Sequence, residues 1–60
     1  MDEYAPGISG ETSFSPAEGG YYVMLYDRAG RLVGRTGFFL SEDKAQEAGK
    51  RLAKSVGKKG

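Results

Sequence analysis

The sequence predicts an α+β module: an antiparallel β-hairpin, with room for a third strand, packed on one C-terminal α-helix. Three observations carry that reading. An aromatic and β-branched run, GYYVMLY at 20–26, ends in the turn letters Asp27-Arg28-Ala29-Gly30; a second apolar run follows; and Ala45, Ala48, Gly49, Leu52, Ala53 and Val56 then recur at helical spacing. Sixty residues allow one small domain, and without Cys no disulfide can staple it.

Residues 1–19, MDEYAPGISGETSFSPAEG, hold Asp2, Glu3, Glu11 and Glu18 and no Lys or Arg. Beyond the initial Met only Tyr4, Ile8 and Phe14 are large and apolar, at no regular period. So little apolar surface does not offset chain entropy, and the expectation is an acidic, mostly disordered tail. The strand-strand-helix module spans 20–57, and 58–60 form a basic end.

Within the module, Asp27 at the first turn position and Gly30, free to take positive φ, predict a three-residue hairpin loop with a bulge at Gly30. If Asp27 faces Arg31, then Leu25 lies opposite Val33, Met24 opposite Gly34 and Val23 opposite Arg35. One face then carries Tyr22, Met24, Tyr26, Leu32, Gly34, Thr36 and Phe38, and the other Tyr21, Val23, Leu25, Arg31, Val33, Arg35 and Phe39. Gly34 would let a helix approach closely, which puts the helix on the first face. Ser41 is a good N-cap, Glu42 and Asp43 suit the positive end of a helix, and Gly57 supplies a stop, so the helix runs from about 42 to 56.

One helix covers one face of a ribbon, so Val23, Leu25 and Val33 need another cover. A second copy of the chain is the leading candidate, ahead of Ile8 and Phe14 acting as an added strand or a partner molecule. The expectation is a homodimer with those three residues at its interface.

Catalytic chemistry has little to work with. The Ser and Thr residues have no His or Cys to pair with, and Asp43 and Glu47, one helical turn apart, read as solvated charge rather than a metal site. Gly30, Gly34 and Gly37 fit no phosphate-binding loop. The expectation is a chain that is not an enzyme and takes no cofactor or metal. No apolar run is long enough for a membrane span, so a cytoplasmic protein with no membrane partner is expected.

Basic residues gather in two places: Arg28, Arg31 and Arg35 on the hairpin, and Lys50, Arg51, Lys54, Lys58 and Lys59 towards the chain's end. Lys and Arg complement the negative end of a helix, yet five in ten residues exceed that need. A phosphate-binding surface is the functional reading, with Tyr21 or Phe39 available for sugar or base contacts.

The stretch from Gly19 to Ser55 resembles the amino-terminal arm-binding domain of phage and transposon tyrosine integrases. The letters that match are Gly20-Tyr21-Tyr22, Asp27 to Gly30, Gly37-Phe38, and Ser41 with Ala45. The resemblance implies a three-stranded sheet plus helix whose sheet enters the DNA major groove, and points at Arg28, Arg31 and Arg35. The same letters are similar to short bacterial strand-strand-helix domains of unknown function, which tend to pair through their sheets. Two functions follow as expectations: a small non-enzymatic DNA-binding accessory module using a basic hairpin and basic helix end, or a homodimeric protein-protein interaction module with no nucleic-acid role.

Overall fold

The computed structural model describes residues 2–57. Four antiparallel strands, β1 (Asp2–Ala5), β2 (Ile8–Ser15), β3 (Gly20–Tyr26) and β4 (Leu32–Arg35), form one sheet in the order β1-β2-β3-β4, and α1 (Glu42–Gly57) crosses one face. The fold is α+β, as the sequence predicts. Among the described residues no helix is long and apolar enough to cross a membrane. The basic end at 58–60, with Lys58 and Lys59, lies outside the described residues.

The largest correction concerns the expected disordered tail at 1–19: its described residues, 2–19, supply two of the four strands. Pro6-Gly7 closes the first hairpin, with Gly7 at φ 80° in the left-handed position that a Pro-Gly turn requires. β2 then pairs with β3 from Ser9↔Tyr26 to Ser15↔Gly20 without a break. Seven consecutive cross-strand pairs give the segment the backbone hydrogen bonds that its side chains alone could not replace. On the helix side it places Ile8, Gly10 and Thr12, with Phe14 half-exposed against the ring of Tyr21, and the space above Gly10 is filled by the ring of Tyr4, whose Cε2 lies 2.5 Å from where a Cβ would stand. An aromatic side chain on the neighbouring strand thus does the packing that β2 lacks.

The second correction is one of register. The 27–30 loop forms as predicted: Arg31 N–H donates to Asp27 Oδ1 (2.9 Å), Gly30 N–H donates to the Asp27 carbonyl (3.0 Å), and Gly30 has φ 83°. Beyond it, however, Tyr26 pairs with Leu32 and Leu25 with Gly34, so Val33 is an extra, bulged residue. The bulge moves Gly34 to the face of Leu25 and Val23. That face, not the face of Tyr22 and Met24, receives the helix. Val23 and Leu25 are fully buried in the core, and so are not the dimer interface the sequence suggested; Val33 sits partly exposed at the bulge.

Ser41 caps α1 by accepting the Lys44 N–H at 3.2 Å. Ala45, Gly49 and Ala53 form its buried stripe, which lies on Val23 and Leu25 with Tyr4, Ile8, Tyr21, Phe39, Leu52 and Val56 around them. Gly57 ends the helix as its last residue. Leu52 fills the space that Gly34 leaves, so the close approach argued for that glycine is real even though its face was misassigned.

After β4 the chain stays beside β3 with the help of Thr36. Its hydroxyl accepts the Val23 N–H (2.9 Å) and donates to the Gly37 carbonyl (2.9 Å), while its own N–H donates to the Val23 carbonyl (3.0 Å). Phe39 rejoins the ladder by exchanging two hydrogen bonds with Tyr21. A buried side-chain oxygen therefore stands in for a missing backbone acceptor in the middle of the sheet.

Candidate functional site

Because α1 takes the face of Val23 and Leu25, alternation along the strands leaves the other face of the sheet without a covering element among the described residues. β3 sends Tyr22, Met24 and Tyr26 to it. Cross-strand pairing adds Ser9, Glu11 and Ser13 from β2 and Leu32 and Arg35 from β4, and Glu3 joins at the β1 edge opposite Ser9. Phe38 completes the patch, its ring meeting that of Tyr22 edge-on at 5.4 Å. Tyr26 O–H reaches Met24 Sδ at 3.5 Å, so the central strip is a continuous aromatic and thioether surface.

Leu32 is 58% exposed and Phe38 43% exposed, and the three β3 side chains between them are half-buried. Charge on the face is ordered. Met24 pairs with Glu11 on one side and Arg35 on the other, which makes one row of the sheet acid, apolar, base. The rows next to it are small on the β2 side, at Ser9 and Ser13, and large on the β4 side, at Leu32 and Phe38.

The basic residues do not converge on one surface. Arg35 belongs to the open face. Arg28 packs against the Gly7 turn, its Nε 3.2 Å from where a Cβ of Gly7 would stand, and Arg31 is bound to Asp27 at 3.3 Å. Lys54 borders an apolar hollow with Ala5, Pro6 and Gly57, next to the Pro6-Gly7 turn on which Arg28 packs. Lys50 and Arg51 are exposed on the helix, away from the sheet, with Arg51 reaching Glu47 at 3.9 Å. The Arg31 backbone N–H, helped by the Arg31 charge, holds the Asp27 carboxyl below its ordinary pKa.

Sequence reading misses Glu11, Tyr22, Met24, Tyr26, Leu32 and Phe38 as surface residues, because it puts most of them beneath the helix. One signal was available: Ser9, Glu11, Ser13 and Ser15 alternate with Ile8, Gly10, Thr12 and Phe14, the period of a strand with one polar face. Extending that polar face onto β3 would have assigned Tyr22, Met24 and Tyr26 outward. Compared with family models, with curated proteins and with solved structures, the chain matches none.

Proposed function

We propose that this chain is a homodimeric protein-protein interaction module that associates through the open face of its sheet. The observation that carries the reading is the uncovered strip Tyr22-Met24-Tyr26 with Leu32 and Phe38 beside it. A domain of this size gains from burying such a patch, and exposed contiguous apolar surface rimmed by polar groups is the usual mark of a protein contact. On this reading the module acts in the cytoplasm, where a cysteine-free chain loses nothing to the reducing environment.

Met24→Lys tests it, since Met24 points away from the core and its replacement leaves the helix contacts untouched. The expected result is wild-type protein that sediments as a dimer towards millimolar concentration, and a Met24→Lys variant that stays monomeric with unchanged far-UV circular dichroism. Wild-type monomer at about 1 mM, or undiminished association of the variant, would overturn the reading; a dimer with Kd in the millimolar range still carries about 4 kcal/mol.

A second reading, the non-enzymatic DNA-binding accessory module, is favoured by one observation: Arg28, Arg31 and Lys54 share an end of the molecule. Phosphate contacts there predict duplex affinity that falls with salt, each contact contributing about 0.9 to the log–log slope. Arg28→Gln with Lys54→Gln should flatten that slope without unfolding the chain. Fluorescence anisotropy that shows no binding below roughly 100 μM at low salt is weaker than ordinary non-specific association and removes this reading.

A further inference from the structure

We propose that the dimer has its two-fold axis running along β3, so that Glu11 meets the partner's Arg35 at each end of the central row. This rests on the self-association reading above and specifies how the two faces meet.

Two copies of one sheet face packed in the aligned manner, about 10 Å apart and with strands within about 30°, can be related by a two-fold axis along the strands or across them. An axis along β3 lays β2 over the partner's β4. Glu11 then faces the partner's Arg35, Ser9 faces the partner's Leu32, and Ser13 faces the partner's Phe38. Acid meets base, and each small side chain meets a large one. Met24, Tyr22 and Tyr26 meet their own counterparts along the axis, as an isologous interface requires.

An axis across the strands through Met24 does the opposite. Glu11 would face the partner's Glu11, Arg35 would face the partner's Arg35, Ser9 would lie on the partner's Ser13, and Leu32 would crowd the partner's Phe38. Like charges opposed across a desolvated contact are strongly unfavourable, and the serine pairs leave voids. The row order observed in the sheet therefore selects the first arrangement. With β2, β3 and β4 overlapping the partner's β4, β3 and β2, three strands about 4.8 Å apart and seven residues of about 3.3 Å give a footprint on the order of 300 Å² per protomer, below the roughly 800 Å² of a standard specific interface. A contact this small is read over a concentration series that reaches weak association.

The test is a charge exchange followed by sedimentation equilibrium from about 10 μM to 1 mM, a range that brackets weak complexes. Glu11→Arg and Arg35→Glu, each alone, place like charges across the interface and should abolish the dimer; the double variant should restore it to within about tenfold, a difference of about 1.4 kcal/mol. A second measurement does not depend on those variants. The chain has no Cys, so Ala29→Cys carries a single spin label on the 27–30 loop. With the axis along β3 both loops lie at one end, and sheets about 10 Å apart put the labels roughly 15–20 Å from one another. With the axis across the strands they lie at opposite ends, five residues from Met24 on either side, about 33 Å apart.

Long label distances, or a double variant that stays monomeric while wild type associates, would overturn the arrangement and leave the open-face dimer standing. Wild type that remains monomeric at about 1 mM, where even a millimolar complex would show, would overturn both.

Discussion

Val23→Lys yields an unfolded chain. Val23 has no exposed surface; it lies between β2 and the end of β4 in the sheet and directly beneath Gly49 of α1. An unpaired ammonium at that position has no acceptor and no path to water, and its desolvation costs several kcal/mol. A domain of this size commonly has only about 3–5 kcal/mol of stability to lose. The measurement is amide dispersion in a two-dimensional NMR spectrum, which should collapse for Val23→Lys and persist for Met24→Lys one residue on. A dispersed spectrum for the first, or a collapsed one for the second, would mean that the faces of β3 are the reverse of those described.

Gly49→Ala is the second large effect, and its sign runs against helix propensity. In an exposed helix interior the substitution gains about 0.5–1 kcal/mol. Here the added Cβ would lie 2.8 Å from Val23 Cγ1 and 3.0 Å from both Val23 Cβ and Tyr4 Cε2. Val23 cannot swing aside, because β3 is held by a strand on each edge, so the helix must lift from the sheet. Overpacking of this kind costs about 1–3 kcal/mol, and contacts at 2.8–3.0 Å to a β-branched side chain put it in the upper half of that range, which leaves a net loss of about 1–2.5 kcal/mol and a midpoint lower by roughly 5–15 °C. A melting curve that is unchanged or raised would show that the layers are farther apart than these distances require.

Both effects depend on features the sequence reveals unevenly. The helix and its Ser41 cap are legible because they rest on local chemistry: a hydroxyl three residues before an amide it can accept from, and apolar positions at helical spacing. The 27–30 loop is legible for the same reason. The strands at 2–15 are hidden because their packing is supplied from elsewhere, with Tyr4 covering Gly10 and Thr12 lying beside Val23. A composition count finds too little apolar surface there, since it credits each residue only with its own side chain. The open face is hidden by one residue. Val33 bulges, every later side chain of β4 changes sides relative to β3, and a register counted evenly from Asp27 assigns the helix to the wrong face. Nothing local to Val33 announces the bulge, which brings Gly34 under Leu52.

The element order has a consequence for the order in which the fold can form. All four strands precede α1, so the hairpins can close one after another while both sides of the sheet are still wet. Until the helix docks, Val23 and Leu25 are as accessible as Tyr22 and Met24. Interior and exterior are thus decided by the helix: the stripe Ala45-Gly49-Ala53 settles over Val23 and Leu25, and its arrival converts a two-sided ribbon into a protein with one open face.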